Sequence, residues 1–386
     1  MIGLMSGTSY DGIDVAVADL SVNGEEVVLT PLGALEHPHT AETRELIDRV
    51  LPPAKVTLDD VCRLDTLLGQ TFAAAAARGI DELAGGHADL VVSHGQTVFH
   101  WIENGAAKGT LQLGQPAWIA ERTGAPVVSD LRARDIAKGG QGAPLVSILD
   151  VLLMPPGTAP KAALNLGGIA NMTVVRPDGG VLAYDIGPAN ALMDLVARRH
   201  FNQPYDLGGR HAASGQVVVE LLGALLEEPY YGRPAPKSTG KELFHGGYLD
   251  AKLSAFPDVS PPDLMTTLAE LTAIVVAEEC EEHGVGELLV SGGGVRNTWL
   301  MRRIGILADP GMSLRPIDDL GLPADAKEAY AFALLGFLTS KGIPATVPAC
   351  TGASAPSILG SITPGTDPIT LDQRPGVAPT RLRIQA

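Results

Sequence analysis

The chain has 386 residues, which is more than one ordinary core holds and enough for two domains. Apolar residues make up 45% of the chain and charged residues 19%, so we expect folded cores and not a disordered segment. The formal net charge is −16, and no Lys/Arg-rich stripe is interleaved with aromatic residues. This composition argues against a nucleic-acid partner, and an acidic surface also repels an anionic membrane.

Cysteine content and the sequence of the N-terminal residues predict the compartment. Cys62, Cys280 and Cys350 lie far apart and lack the spacing of metal ligands, so we expect reduced thiols. The first residues show no charged segment followed by a long apolar one, and no run of about 18 apolar residues occurs. We therefore expect a soluble, cytoplasmic protein.

The first part of the chain predicts a β-hairpin followed by helices and strands. Apolar residues 2–5 and 15–20 flank a turn-rich loop, and a third strand is predicted at 26–32. Helical spacing covers 40–51 and 58–80. Then come a buried strand at 88–93, a helix at 117–122 and a strand at 126–129.

A glycine-rich break, KGGQGAP at 138–144, leads us to place a domain boundary near Asp130. After it, a second strand, glycine turn and strand recur in KAALNLGGIANMTVV, followed by GGVLAYDIGPAN. A helix at 265–283, the strand ELLVS, a GGG loop, a helix near Asn297 and a helix at 326–341 complete the pattern. We predict α/β domains at 1–130 and 131–360 with a cleft between them, and residues 361–386 packing back on the first domain.

The loop at residues 7–12 is the leading candidate for a phosphate site, and residues 7–14 are called the first loop below. The loop at 7–12 offers backbone N–H groups, two hydroxyls and a carboxylate in a tight turn, which suits a phosphate and its metal ion. The alternative is an ordinary hairpin loop, but a counterpart recurs at Asn165-Leu166-Gly167-Gly168. A Walker motif is disfavoured: in the P-loop-like stretch that includes Ser238-Thr239-Gly240-Lys241-Glu242, Ala235 stands where the first glycine belongs and Glu242 replaces the magnesium-binding Ser or Thr.

Three further segments carry candidate site residues. Asp185 ends the predicted strand VLAYD, where a general base should sit, although it could equally cap the helix near Asn190. Residues 93–97 follow a predicted strand, which favours ligand contact, while His94 could instead be structural. The glycines of residues 291–294 allow close approach of a flat ligand or serve a turn, and Glu328 in a first helical turn is more typical of a capping charge.

Together these segments resemble anhydro-N-acetylmuramic acid kinases, which belong to the acetate and sugar kinase/Hsp70/actin superfamily. The resemblance is carried by GLMSGTSYDGID, SHGQT, DIAKGGQGAPL, NLGGIAN, DIGPANALMD, PKSTGKELF, SGGG, AKEAYAFALLG and TGA, in the family's order. The sequence departs from the family pattern at Leu131, Ile186 and Ala189, and the change at Ile186 could alter the hydrogen bonding of Asp185.

The resemblance implies two actin-like (ribonuclease H-like) domains and an ATP- and magnesium-dependent kinase. It would convert 1,6-anhydro-N-acetylmuramic acid and water to N-acetylmuramic acid 6-phosphate in cell-wall sugar recycling. Asp185 would be the catalytic base, and sugar contacts are sought among Gln96, Arg132 and Asp135. The residues implied for ATP are Gly7, Thr8, Ser9, Tyr10, Asp11, Gly12, Ile13, Asp14, Gly167, Gly168, Gly292, Gly293 and Gly294, with Asp11 also holding magnesium through water.

Two other functions compete with this interpretation. One is a kinase of another sugar or of a carboxylate on the same fold. The other is a non-catalytic, nucleotide-gated actin-like module, against which the presence of Asp185 and of both glycine loops argues. The sequence leaves a homodimer open.

Overall fold

The computed structural model describes residues 1–7, 9–235, 237–240, 242–367 and 377–385. The chain divides into two compact units, the first formed by Met1–Leu153 together with Gly321–Ala386 and the second by Met154–Leu320. The division therefore falls after the boundary that the sequence predicted at residue 130, and residues 321–360 belong to the first unit. In the described part of the chain, every helix is too short or too polar to span a bilayer.

The first unit is built on one mixed sheet with helices packed against it. Its elements before the second unit are β1 (Ile2–Ser6), β2 (Gly12–Asn23), β3 (Glu26–Pro38), α1 (Ala41–Val50), α2 (Leu58–Leu83), β4 (Val91–Glu103), β5 (Ala106–Leu113), α3 (Pro116–Thr123), β6 (Val127–Ser129), α4 (Ala133–Ala137) and α5 (Ser147–Leu153). Its elements after the second unit are α11 (Lys327–Ser340), α12 (Pro348–Thr351), β12 (Ser361–Thr363) and β13 (Arg381–Ile384).

The second unit is built on a five-stranded sheet. Its elements are β7 (Lys161–Leu166), β8 (Ile169–Val175), β9 (Val181–Pro188), α6 (Asn190–Phe201), α7 (Val219–Leu226), α8 (Gly246–Leu253), α9 (Pro261–Glu282), β10 (Glu287–Ser291), α10 (Thr298–Leu307) and β11 (Ser313–Pro316).

Both sheets repeat one topology. In the first, the order β3-β2-β1-β4-β6 joins three antiparallel strands to two that run parallel to β1. In the second, β9-β8-β7-β10-β11 has the same order and the same directions. This is the strand order of actin-like, ribonuclease H-like domains, so the fold class predicted from the sequence is confirmed.

Apolar alternation in β1 explains how the first sheet holds helices on both faces. Ile2 and Leu4 are fully buried in a core that includes Phe72 of α2. Gly3 points the other way, to α11, where an added Cβ would lie 2.0 Å from the carbonyl oxygen of Ala329. The absence of a side chain at Gly3 therefore sets how closely α11 approaches the sheet.

The C-terminal residues of the first unit flank its sheet. β12 pairs antiparallel with β6, and β13 pairs parallel with β3, so each covers an outer strand. The exposed Arg381 and Arg383 also form ion pairs with the half-buried Glu26, at 3.1 and 3.2 Å. Residues from both ends of the chain therefore lie in one sheet.

The glycine-rich break lies within the first unit because a buried carboxylate holds it there. Asp135 is fully buried, and one of its oxygens accepts the N–H of Gly142 at 2.7 Å. The other oxygen accepts the hydroxyl of Thr351 at 2.7 Å. This connection between distant parts of the chain explains why the domain division falls after the break.

We expect Gly3→Ala to destabilise the first unit, because the new Cβ would meet the backbone of α11, which cannot rotate away. Overpacking of this kind typically costs about 1–3 kcal/mol. Urea denaturation would measure the loss. Gly109→Ala in β5 is the matched control, since its Cβ would make only an ordinary contact of 3.6 Å with Trp101. Equal stability of the two variants would contradict the prediction.

Candidate active site

The first loop connects β1 to β2 and is fixed at its base by buried side chains. The hydroxyl of Ser6 lies 2.6 Å from Oε1 of Gln96 and 2.9 Å from the carbonyl oxygen of Gly12. Nε2 of Gln96 donates to the carbonyl oxygen of Gly7 at 3.2 Å. Gly12 lies against β3, where an added Cβ would be 2.9 Å from the carbonyl oxygen of His37. The loop therefore starts and ends at constrained positions.

The exposed residues of the first loop carry its polar groups. Ser9 donates a hydrogen bond of 2.8 Å to Asp11, and both are exposed. The hydroxyl of Tyr10 donates to Asp48 at 2.5 Å, and the positive φ of 39° at Tyr10 marks a tight turn. Thr8, which the resemblance assigns to ATP, lies outside the described residues.

The end of the first loop enters β2, where the two predicted residues differ in environment. The side chain of Ile13 is fully buried in the core, so this residue could meet a ligand only through its backbone. The carboxyl of Asp14 is half-buried. Burial raises its pKa from 3.8 to about 6, with further contributions from the negative charges of Glu36, Asp11 and Glu328. Asp14 thus holds an ionisable group in an unfavourable environment.

Residues 93–97, predicted to follow a strand, lie within one. β4 continues to Glu103 because its outer part pairs with β5, an element that the sequence prediction omitted. At Gly95 the φ of +71° and a would-be Cβ contact of 2.8 Å with the carbonyl oxygen of Leu113 require glycine. The side chain of Gln96 is buried, and its amide is used in holding the first loop.

His94 and Arg132 form a buried pair next to Gln96. The Nδ1 atom of His94 lies 2.7 Å from the carbonyl oxygen of Gly95, which assigns the proton to Nδ1 and leaves Nε2 to accept from Nε of Arg132 at 2.9 Å. Burial, assisted by the charge of Arg132, lowers the pKa of His94 to about 3. The imidazole is therefore neutral and orients the guanidinium, whose Nη1 donates to the carbonyl oxygen of Gly142 at 2.6 Å.

Asp185 lies on β9, the last strand of the second sheet. Its Oδ2 accepts hydrogen bonds from the hydroxyl of Ser238 at 2.8 Å and from the N–H of Thr239 at 3.1 Å. Among the described residues, none donates to Oδ1. Burial raises the pKa of Asp185, the two hydrogen bonds lower it, and the charge of Glu242 raises it again. One oxygen of the carboxylate is thus oriented by two hydrogen bonds.

The alternative role of Asp185 as a helix cap does not fit the structure. β9 extends beyond it to Pro188, and the cap position of α6 is Ala189, which makes no side-chain cap bond. The departure at Ile186 is also explained, since its side chain is fully buried in the core. The described donors to the carboxylate of Asp185 are Ser238 and Thr239, and an effect of Ile186 on this hydrogen bonding stays a prediction.

The glycines at 292–294 in the second unit differ in the space available for a side chain. A Cβ at Gly292, where φ is +83°, would lie 2.4 Å from Oδ1 of Asn165, and one at Gly294 would lie 2.5 Å from Cβ of Leu166. A Cβ at Gly293 would meet no atom within 4 Å. Two of these glycines therefore pack against β7, while Gly293 faces open space.

The turn at Gly167 and Gly168 joins β7 to β8 and caps a helix with its carbonyl oxygens. Gly168 accepts the N–H of Ala189 at 3.0 Å, and Gly167 accepts that of Asn190 at 3.0 Å. An added Cβ would make only an ordinary contact, at 3.4 Å at Gly167 and at 3.9 Å at Gly168. The turn thus fixes the start of α6, which follows β9 and Asp185.

Sequence reasoning gave no site role to Glu328, Ser238 or Thr239. Glu328 is exposed to solvent, yet the protein around its carboxyl desolvates it and raises its pKa. The positive charges of Lys327 and Arg132 lower that pKa in part. Ser238 and Thr239 lie in the stretch that resembled a P-loop. Their partner is 53 or 54 residues away in the sequence, so local spacing could not reveal their role.

The family model and the curated relatives that match this sequence agree on one family. The family model described as "Anhydro-N-acetylmuramic acid kinase" matches residues 1–365. A Streptomyces coelicolor protein named anhydro-N-acetylmuramic acid kinase is 58% identical over 100% of this chain and 98% of its own. A Salinibacter ruber protein of the same name is 42% identical over 94% of this chain and 95% of its own. A solved ROK hexokinase from Thermus thermophilus is 17% identical with a TM-score of 0.32, covering 82% of this chain and 92% of its own.

We expect Asp14→Asn to stabilise the protein at neutral pH. A carboxyl whose pKa is raised in the folded state costs no stability while it is protonated in both states. Its ionisation lowers the free energy of unfolding progressively as pH rises from about 4 to 6. Above pH 6 the substitution should raise the free energy of unfolding by about 1–3 kcal/mol, converging with the parent below pH 4. Urea denaturation from pH 4 to 8 would measure this.

The exposed Asp19 on the same strand supplies the control for that experiment. Asp19→Asn removes one negative charge without relieving a buried one. A gain in stability of Asp19→Asn equal to that of Asp14→Asn would contradict the assignment of an unfavourable local environment to Asp14.

Proposed function

The chain belongs to the anhydro-N-acetylmuramic acid kinase family, and we propose that it phosphorylates 1,6-anhydro-N-acetylmuramic acid with ATP while opening the anhydro ring with water. The match over residues 1–365 and the identity over the whole chain support this activity. The structural observation that carries the chemistry is Asp185, whose Oδ2 is held by Ser238 and Thr239. A kinase of another sugar or a non-catalytic module is not favoured by these relatives.

The substrate dictates a coupled reaction, because its O6 is bonded to C1 and no free 6-hydroxyl exists. Water attacks C1 and forms a new C1–O bond while the C1–O6 bond breaks. The electron pair of that bond stays on O6, which forms a bond to the γ-phosphorus. At the same time the bond between the γ-phosphorus and the β-phosphate oxygen breaks. The proton of the water passes to a base, and the products are N-acetylmuramic acid 6-phosphate and ADP.

Asp185 is the base in this proposal. Its pKa is raised by burial, which brings a carboxylate closer to the basicity that general-base catalysis needs, while the bonds from Ser238 and Thr239 lower that pKa in part. Because Oδ2 is occupied, Oδ1 is the atom that would take the proton from water.

The first loop is proposed to hold the ATP phosphates through backbone N–H groups and the hydroxyl of Ser9. Gly167 and Gly168 would be the phosphate-side turn of the second unit, and Gly292–Gly294 would lie near adenosine. Among Gly292–Gly294, Gly293 is the residue with open space around it, which suits close approach of a flat ligand. Ile13 would contribute only its backbone.

The residues present fit a magnesium ion that accompanies ATP. Among the described residues, no group of three or more His, Cys, Asp or Glu side chains is placed to hold a metal. The exposed carboxylate of Asp11 suits Mg²⁺, which is usually bound by one or two carboxylates together with water and substrate phosphates. We propose that the exposed Asp11 holds it through water. When bound, the ion would neutralise charge developing on the transferred phosphoryl group.

Arg132 is the proposed contact for the lactyl carboxylate of the sugar. Its Nε and Nη1 are used by His94 and Gly142, which orient the guanidinium, and Nη2 has no described protein acceptor. Gln96 and Asp135 were also expected to contact the sugar, but their polar atoms bond to neighbouring segments. We propose that these two residues instead hold the first loop and the glycine-rich break in place.

The proposed reaction belongs to the recycling of cell-wall amino sugars. We place it in the cytoplasm, where ATP is available. The small-molecule partners are the anhydro sugar and ATP.

We expect Asp185→Asn to lower kcat by about 10²–10⁴-fold, because a positioned base contributes this much. ATP affinity, measured by direct binding, should be unchanged. Asp178→Asn in the exposed β8–β9 turn is the matched control and should behave as the parent. Retention of turnover in Asp185→Asn would overturn the assignment of the base.

The substrate is tested by coupled ADP release with magnesium-ATP. We expect turnover with 1,6-anhydro-N-acetylmuramic acid and none with N-acetylmuramic acid or acetate. In ¹⁸O-labelled water the label should appear at the anomeric hydroxyl of the 6-phosphate product. Turnover with either control compound in place of the anhydro sugar would contradict the proposed substrate and favour a kinase of another sugar or of a carboxylate. ATP binding without turnover would favour the non-catalytic module.

A further inference from the structure

The edge of β9 at Asp185 is covered by residues 237–239, which have no regular secondary structure. The N–H of Asp185 donates to the carbonyl oxygen of Lys237 at 3.1 Å, and its carbonyl oxygen accepts the hydroxyl of Tyr230 at 2.6 Å. These contacts replace the neighbouring strand that an edge strand lacks. The same segment supplies both donors to the Asp185 carboxylate.

Ser238 is exposed and Thr239 is half-buried, so neither is held in place by its own side-chain packing. Lys237 is held differently. Its side chain is 5% exposed, and its ammonium lies 3.1 Å from Oε1 of Glu279 on α9, a side chain that is 11% exposed. The ammonium also donates to the carbonyl oxygen of Tyr231 at 2.8 Å.

Aromatic rings and Glu279 complete the surroundings of the Lys237 ammonium. It lies 5.3 Å from the ring centre of Tyr230 and 5.7 Å from that of Tyr184. Oε2 of Glu279 accepts the hydroxyl of Tyr184, the residue that precedes Asp185 on β9. The same hydroxyl lies 2.6 Å from Nε2 of His283. Glu279 is therefore tied both to β9 and to the segment that covers it.

These contacts form a closed ring around the proposed base. It runs from Tyr184 through Glu279 to Lys237, and from Lys237 through Ser238 and Thr239 back to Asp185. A buried ion pair with added hydrogen bonds fixes geometry even where it adds little net stability, and a displacement of about 1 Å at a reacting group can cost 10²-fold in rate.

We infer that Lys237, anchored by Glu279, is a positioning residue that holds the hydrogen-bond donors of Ser238 and Thr239 against Asp185. The lysine does not point to the reacting atoms, since its ammonium is enclosed by Glu279 and two tyrosines. Its place in a P-loop-like stretch is therefore unrelated to phosphate binding. The inference rests on the proposed role of Asp185 and extends it.

The test compares a double variant at Lys237 and Glu279 with a control variant at another lysine, Lys252. Lys237→Met/Glu279→Gln removes the anchor without leaving an unpaired buried charge, which would otherwise destabilise the fold. Lys252→Met is the control, because Lys252 also donates to a carbonyl oxygen, that of Ala224 at 2.6 Å, and lies 5.7 Å from the ring centre of Tyr248. We expect kcat of the double variant to fall about 10–100-fold, with ATP affinity and melting temperature close to those of the control.

Two readouts separate positioning from general damage. Without the donors that lower the pKa of Asp185, the acid limb of the pH–rate profile should move to higher pH, because burial and the charge of Glu242, which raise that pKa, are retained. Tyr230 also faces Asp185, but its hydroxyl donates to the backbone carbonyl oxygen. Adding Ser238→Ala to the double variant should cost little further activity, since that donor is already displaced. A parent-like profile and kcat, or fully additive losses, would overturn the inference.

A milder variant keeps the test decisive if the double variant does not fold. Tyr184→Phe removes one bond to Glu279 and should give a smaller loss with the same shift of the acid limb; no shift would overturn the inference. Asp185→Asn distinguishes the two proposals. If that variant stays active, the base assignment fails; if it is inactive while the Lys237 series behaves as the parent, only the positioning role fails.

Discussion

β9 is the last strand of its sheet, and its outer edge leaves the backbone of Asp185 without a neighbouring strand. The polar groups of a partly buried strand edge need partners, and here an irregular segment at residues 237–239 supplies them. Because the segment meets both the backbone and the carboxylate of Asp185, satisfying the strand edge also orients the base. An interior strand would have had a regular neighbour, and this carboxylate would have needed another source of donors.

The repeated strand order gives each unit a tight turn after its first strand, but the two turns are stabilised differently. In the first unit, the buried Ser6 and Gln96 hold the loop from below. In the second, Gly167 and Gly168 use their carbonyl oxygens to start α6. The first arrangement leaves polar side chains on the loop, whereas the second leaves a bare glycine turn. One topology thus offers a ligand side chains in one unit and mainly backbone in the other.

The periodic elements could be predicted from the sequence because their signals are local. Strands β1, β2, β3, β6 and β10 and helices α1, α2, α9 and α11 follow from alternation or helical spacing, and the helix predicted to start near Asn297 is α10. The extension of β4 was missed because its outer part is stabilised by pairing with β5, and the polar residues 93–97 resemble a loop. The assignment of α11 to the first unit depends on packing against Gly3, which no local pattern reveals.

The candidate site shows the same limit at the level of side chains. Asp185 could be singled out because a carboxylate followed by Gly-Pro is unusual at the end of a predicted strand. Its supporting residues could not, since Glu279 and Lys237 are 42 residues apart and Ser238 lies 53 residues from Asp185. Gln96 and Asp135 were predicted to contact the sugar, and their burial and their hydrogen bonds to neighbouring segments become visible only in three dimensions.

The order of the units along the chain has a consequence for synthesis. The second unit is continuous and can fold as soon as Leu320 has left the ribosome, whereas the first is interrupted by it. Until α11 emerges, the face of the first sheet at Gly3 has no helix to cover it. At about 5–20 residues per second, the whole of Met154–Leu320 takes many seconds to make. During that interval the nascent first unit exposes an apolar sheet face, and transiently exposed surface of this kind is prone to aggregate.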